Sequence, residues 1–489
     1  MSRFMDRREF LRAAGMGAAG FAIPGVSVAQ RRTAITANRR QSVVVLGAGL
    51  AGLAAGYELK RAGHSVTLLE ARDTAGGRVR TLRDPFSDGL YVEAGAFGFP
   101  PSHEFTASYV EEFGLPIRLA VKFGFEQIAQ MHGRVFRIVA GKAVDPPFNL
   151  TPAERDAGVY GLTSLYLGDY LRSIGDPTRK KWPPASLRDL DAVSCAELLQ
   201  DVGASDAAIE VINALHLGLL GFGIDSISAL SAVVSEALSA GGAFYEIEGG
   251  NDQLPNALKK RLKKRFKKQA VVRRIEQDES GVTVFYSNNG AMEPVTADRV
   301  VCALPFPVLR EIEVYPAFSE EKQRAIRELK LTPVTRTYLQ FRTRQWEGSR
   351  LDGSGFSDLE IQNTYSPTVA QPGQRGILAS FTAGRRALDM SALPESARID
   401  MVLRRMDALF GNLNSQFETA ISHAWHEDEF ARGGFTYYEP GQMTTLLPAA
   451  QRSEGRIHFA GEHTSAWYGW MNGALESGNR AAEEVSRAG

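Results

Sequence analysis

An α/β fold organised on a doubly wound parallel sheet is predicted by three features of this 489-residue sequence. A β-branched run, Ser42-Val43-Val44-Val45-Leu46, leads without a gap into Gly47-Ala48-Gly49-Leu50-Ala51-Gly52. Helical spacing then carries Ala54, Ala55, Tyr57, Glu58 and Leu59 as far as Gly63. A second strand, 65–69, ends at Glu70, 18 residues beyond Gly52. Short apolar runs bounded by glycine and joined through a helix are the pattern of buried parallel strands.

Each part has a physical task. Gly47 permits the tight turn, Gly49 lets a backbone approach a pyrophosphate, and Gly52 lets helix and strand pack closely. Leu50 and Ala51 open a helix whose N-terminus favours negative phosphates, and the Glu70 carboxylate accepts hydrogen bonds from a ribose diol. The elements stand in register as a Rossmann-type dinucleotide clamp, with NAD and FAD both open at this point.

Composition narrows the class. With 44% hydrophobic, 9% aromatic and 23% charged residues the chain is an ordinary globular protein, and its length predicts two or three packed units. The 56 basic and 56 acidic side chains balance, so no overall field recruits nucleic acid. Two cysteines, Cys195 and Cys302, exclude a thiolate metal cluster. His423 and His426 with Glu427, Asp428 and Glu429 lack a second ligand cluster, so no metal is expected. No G-x-S-x-G element offers a hydrolase nucleophile. Basic residues fill eight of the ten positions 259–268, and Leu258, Leu262 and Phe266 are spaced by four, which predicts an amphipathic surface helix.

The residues after Glu70 select the cofactor. The run Glu70-Ala71-Arg72-Asp73-Thr74-Ala75-Gly76-Gly77-Arg78-Val79 resembles the FAD signature of the flavin amine oxidase family, which includes monoamine oxidases and L-amino-acid oxidases. The resemblance continues in Phe459-Ala460-Gly461-Glu462-His463 and Gly469-Trp470-Met471-Asn472-Gly473, in the glycine turn Glu248-Gly249-Gly250, and in Val271-Val272. It implies FAD held by Ala71, Arg72, Gly77, Arg78, Val272, Gly461, Glu462, Trp470 and Met471 beside the first glycine motif. It also implies an interleaved, GR2-like architecture: an FAD-binding domain from 42–115, 236–315 and 440–489, and an α+β substrate domain with a helical insert from 116–235 and 316–439. Within the substrate domain, 335–341 alternates like a strand.

The implied reaction is hydride transfer from an amine carbon to flavin, imine hydrolysis, and reoxidation by dioxygen with release of hydrogen peroxide. Such a site needs a dry aromatic cavity. Trp470 matches one aromatic flank, and Phe435 or Tyr437 the other. Three positions depart from the family. Phe435 stands where monoamine oxidases carry a flavin-linked cysteine, so FAD is expected to be non-covalent. Arg336 stands where most members have a lysine, which opens an amine dehydrogenase with another electron acceptor as an alternative. In the run 93–100, Gly98 stands where bacterial amino-acid oxidases place a carboxylate-binding arginine, so an L-amino-acid oxidase would need a rearranged carboxylate site. A flavin-binding protein without turnover is the remaining alternative, and a homodimer is left open.

Residues 1–29 read as an address. A basic start, an Ala/Gly-rich stretch and Ser27-Val28-Ala29 form a processing pattern, and Arg7-Arg8-Glu9-Phe10-Leu11 resembles the twin-arginine export signal. The Tat machinery is therefore an expected partner, with a periplasmic or secreted destination.

Overall fold

The computed structural model describes residues 35–120, 125–139, 147–177, 179, 182–239, 244–262 and 265–488, so the leader expected at 1–29 lies outside the described residues. The organising element is a five-stranded parallel sheet. In chain order its parts are β1 (Ser42–Leu46), α1 (Leu50–Arg61), β2 (Ser65–Leu69), α2 (Gln253–Leu262), β3 (Phe266–Lys267), β4 (Arg299–Cys302), β5 (Ile457–Phe459) and α3 (Met471–Arg487). The strands lie in the order β5-β4-β1-β2-β3, with β1 at the centre paired to β4 through Val43 and Arg299 and to β2 through Val44 and Thr67.

Missing side chains bring the helices close. A Cβ on Gly52 would stand 2.0 Å from the Gly47 carbonyl oxygen, and one on Gly478 would stand 2.4 Å from that of Ala51. Glycine at these two positions is what lets α1 rest on the turn after β1 and α3 rest on α1. The helix expected across 259–268 stops early: α2 ends at Leu262, and Phe266 joins the sheet edge as β3 beside Leu68. Leu258 and Leu262 are buried, while Phe266 serves the sheet instead of a third helical turn.

The second layer is a seven-stranded mixed sheet. It runs from Phe417–Ala424 through Val334–Phe341, Gly376–Ala383, Asn363–Tyr365, Leu351–Ser357 and Glu126–Met131 to Arg134–Ile138. Every residue of Val334–Phe341 is buried, because helices cover the strand as well as its neighbours. The alternation read at 335–341 is therefore not a solvent-facing one. Helices Pro152–Ala157, Leu162–Ser173, Cys195–Asp201, Asp206–Ala214 and Ala229–Ser239 form the insert. Capping boxes Thr151/Glu154 and Ser194/Glu197 satisfy backbone N–H groups at two of their starts. Among the described residues no helix is long and apolar enough to cross a membrane.

Candidate active site

The carboxyl ends of β1, β2, β4 and β5 deliver Gly47, Glu70, Ala303 and Gly461 to the wall of one cavity of about 710 Å³. That end of a parallel sheet is where an open α/β fold leaves its ligand crevice. The helices α1 and α3 also begin at this cavity. Their N-cap residues, Gly49 and Trp470, make no side-chain cap, and neither first turn holds an acid, so the positive helix ends are left uncompensated. The second glycine pair is stitched to the first: Gly76 N–H donates to Ala48 O at 2.9 Å, and a Cβ on Gly77 would stand 3.1 Å from Gly49 Cα. A Cβ on Gly49 would meet nothing within 4 Å, so its open side belongs to the cavity.

The charged groups are held from several directions. Glu70 accepts from Ala48 N–H at 2.6 Å and Arg72 N–H at 2.9 Å, and burial pushes its carboxyl above the usual range. Arg72 pairs with Asp428 and lies over the Phe430 ring. Arg78 donates to Gly434 O at 2.9 Å and to Glu462 at 2.8 Å. Glu462 also accepts from Thr436 Oγ1 at 2.9 Å and Gly469 N–H at 2.7 Å. Burial works to raise Glu462, but Arg78, His463 and the Gly469 N–H outweigh it and hold the carboxyl below its ordinary value. Uncapped helix starts, a glycine cradle and a half-buried arginine fit a dinucleotide with two phosphates.

Beyond the cradle the cavity becomes aromatic. Trp470 stacks on Phe244 at 5.9 Å between ring centroids, Phe244 on Phe97 at 6.0 Å, and Phe97 leans on Tyr365 at 6.2 Å. Phe435, Phe381 and Trp425 complete this wall, and Trp425 Nε1 donates to Ala94 O at 2.6 Å. His103 meets the Trp470 ring edge-on at 4.8 Å, and burial holds the imidazole down to about 3, so it is neutral. Arg336 enters from Val334–Phe341 and donates from Nη1 to Glu93 O at 3.0 Å and Gly95 O at 2.6 Å. Glu236, on Ala229–Ser239, faces the same space and is raised by burial against the pull of His216.

The expected site residues divide as follows. Gly47, Gly49, Leu50, Ala51, Glu70, Ala71, Arg72, Gly77, Arg78, Val272, Arg336, Phe435, Gly461, Glu462, Trp470 and Met471 all line the cavity. Gly52 does not; it packs against the turn after β1. Tyr437 does not either, and that expectation is corrected: its buried ring presses on Gly221 and meets Phe222 edge-on at 6.5 Å. The missing Cβ at Gly221 leaves the space that Tyr437 fills. Phe244, Phe381, Tyr365, Trp425 and Glu236 line the cavity without any sequence motif that marks them. Phe97 stands next to Gly98 in the run 93–100, but nothing in that run distinguishes it from a core aromatic. Cys195 and Cys302 are buried outside the lining, and burial pushes the Cys302 thiol up to about 11.

A dinucleotide cradle opening into an aromatic chamber defines a cofactor-dependent oxidoreductase, a class in which the protein positions substrate against the cofactor's reactive atom. The chain belongs to the flavin containing amine oxidoreductase family, whose sequence profile matches residues 50–486, and FAD is the cofactor that this family implies. It is 35% identical over 465 residues to a Bacillus subtilis protein named provisionally as an L-amino-acid oxidase, covering 91% of this chain and 94% of the relative. It is 31% identical to the flavin-dependent L-tryptophan oxidase of Lentzea aerocolonigenes, covering 91% and 98%. In fold it is similar to a putrescine oxidase variant (TM-score 0.80, 24% identity, 92% and 99% covered) and to cyclohexylamine oxidase from Brevibacterium oxydans (TM-score 0.80, 22% identity, 92% and 99% covered).

Proposed function

We propose that this enzyme oxidatively deaminates a primary amine with non-covalently bound FAD and dioxygen. The observation that carries the reading is one cavity running from the uncapped starts of α1 and α3 to the ring sequence Trp470, Phe244, Phe97 and Tyr365. The chemistry that FAD supplies there is acceptance of a hydride from the amine-bearing carbon and return of the electrons to dioxygen as hydrogen peroxide; the imine left behind hydrolyses in water. The aromatic wall excludes water and favours the neutral amine, whose nitrogen lone pair the reaction needs. Trp470 and Phe435 flank the amine, and neutral His103 supports the Trp470 ring without adding charge. Arg336 supplies a fixed positive charge to the chamber.

Anaerobic mixing of the yellow holoenzyme with amines and amino acids tests this: a substrate bleaches the flavin, and air restores the colour with peroxide formation. A panel in which nothing bleaches the flavin removes the reading. Arg336 in place of lysine favours a second reading, a dehydrogenase with another acceptor, under which the bleached enzyme stays bleached in air. Acid precipitation should release the flavin into the supernatant, since Phe435 offers no thiol and neither cysteine lines the cavity. We also infer export by the twin-arginine route from Arg7-Arg8 and the 1–29 leader. Replacing both arginines by lysine should keep the protein in the cytoplasm; undiminished export would remove that inference.

A further inference from the structure

Among the described residues, Glu236 is the one shielded acid of the cavity whose carboxylate has no partner. It is half-buried in the last turn of the helix Ala229–Ser239 and lines the cavity beside Ser235, Ser239 and His216. Ser239 Oγ donates to its backbone carbonyl at 3.1 Å and not to its carboxylate. The other acids of the lining are engaged. Asn251 N–H holds Glu93 at 2.8 Å, Arg118 holds Glu246 at 2.6 Å, and Ser354 N–H holds Asp352 at 2.7 Å. Glu70 takes Ala48 N–H and Glu462 takes Arg78, while Glu311 and Glu429 are exposed to solvent.

The helix that carries Glu236 is tied to the ring wall. Ser231 Oγ lies 2.8 Å from Tyr468 OH, two residues before Trp470. Leu238 O accepts at 3.0 Å from Nε2 of His103, the ring that meets Trp470 edge-on. Ser231, Ser235 and Leu238 share one helix face by their spacing, and Glu236 and Ser239 stand at its margin, on the cavity lining. Glu236 is therefore placed where a polar recess, with His216 Nε2 at 3.1 Å from Ser235 Oγ, borders the stacked rings of Trp470 and Phe244. No basic residue stands in the last turn of this helix, so its negative end adds to the attraction for a cation. Of the titratable groups on elements packed against the helix, His216 favours the charged carboxylate, and the Cys195 thiol is pushed up by burial and then by Glu236 and Asp225. Leu162–Ser173 and Ala185–Ala192, also packed there, contribute no charge to Glu236. Amines are ammonium ions in neutral water, and a carboxylate raised by burial is matched to accepting their proton.

We propose that Glu236 is the base that takes the proton from the substrate ammonium as it enters the aromatic chamber. This rests on the reading of the cavity as an amine-oxidising site. The ammonium N–H bond breaks, its electron pair stays on nitrogen as the lone pair, and the proton becomes that of the Glu236 carboxylic acid. A cation and an anion thus become two neutral groups suited to a dry site. Nothing is oxidised in this step, and the proton returns to water when the product leaves.

The test follows anaerobic flavin reduction of the holoenzyme against pH with its fastest substrate. In wild type the apparent second-order constant should rise through the ionisation of Glu236 and then level off. E236Q can use only substrate that is already neutral, so it should lose about 100-fold at pH ~7. The gap should close to within about 5-fold by pH ~9.5, as free amine becomes abundant. E236D should keep the wild-type shape at a reduced height. A second measurement needs no turnover, because cumylamine has no hydrogen on its amine-bearing carbon and cannot be oxidised. Calorimetric titration at pH ~8 in buffers of different ionisation enthalpy should count close to no protons released on its binding to wild type, and about one on binding to E236Q. Circular dichroism checks the folding of both variants. An E236Q loss that is the same at every pH, or equal proton counts in the two proteins, would overturn the assignment. If no amine or amino acid reduces the wild-type flavin, the amine-oxidase reading fails, and the proton count still decides the role of Glu236.

Discussion

The Arg78 guanidinium and the Glu462 carboxylate meet at 2.8 Å across 384 positions of sequence, both largely shielded from water. The pair ties the second glycine motif to the turn after β5, and Glu462 extends the tie to Thr436 and Gly469. Four separate stretches of the cavity wall are thus fixed by one carboxylate. R78M would leave that carboxylate buried without its cation, at a cost of about 3 kcal/mol. The expected outcome is a lower denaturation midpoint and purified protein that has lost most of its flavin. E462Q, which keeps the shape and one acceptor, should lose less of both. Equal flavin content in all three proteins would show that the pair does not organise the site.

Two glycines of one motif should fail in different ways. A Cβ at Gly52 collides with the Gly47 carbonyl at 2.0 Å, so G52A should disrupt the contact of α1 with the turn and destabilise the protein by several kcal/mol. Gly49 has φ −65° and nothing within 4 Å of a Cβ, so alanine is tolerated by the fold. G49A should melt within about 2 °C of wild type as apoprotein. Its FAD affinity should fall by about 10-fold or more, because the methyl group points into the cradle. Melting curves of apoprotein combined with FAD titrations separate the two outcomes.

These contrasts mark how far the sequence is legible. Gly47 to Glu70 is a local unit in which spacing alone sets the geometry, so strand, turn, helix and ribose acid can be read in order. The Arg78–Glu462 contact is readable only through resemblance, since nothing local to either residue implies the other. The aromatic chamber is harder. Phe244 and Phe381 come from separate stretches, and a cavity aromatic has the same sequence signal as a core aromatic. Tyr437 is misplaced by its sequence neighbourhood because the space it fills is made by Gly221, more than 200 residues away. The spacing of Phe266 fits a helix, while its place is set by the open edge of β2.

Trp470 should control rate through position. Its backbone opens α3, and its ring stacks on Phe244 and meets the His103 ring edge-on, so the ring is held from two sides. W470A opens the wall to water and frees the reacting carbon to move, and a displacement of about 1 Å costs on the order of 100-fold in rate. W470F keeps a ring on Phe244 and should lose about 10-fold or less. Steady-state kcat and KM for the best substrate check this. Equal losses in the two variants would point to the indole N–H and not to the wall.

Glu93 gives the enzyme a pH-dependent stability with a definite sign. Its carboxyl is fully buried, with Glu246 and Asp252 adding negative charge nearby, while Asn251 N–H and Thr81 Oγ1 pull the other way; the balance pushes it up to about 8 from 4.5. Arg336 and Tyr338 bond its backbone carbonyl instead of its side chain. The folded protein therefore holds this proton more tightly than the unfolded chain. Its contribution is fully present below pH ~4.5 and is lost as pH rises through about 8, a change of about 5 kcal/mol. Scanning calorimetry at constant ionic strength should show the wild-type midpoint falling over this range, with E93Q distinctly flatter. Parallel calorimetric profiles for the two proteins would mean that Glu93 is already ionised at neutral pH and that burial does not raise its carboxyl.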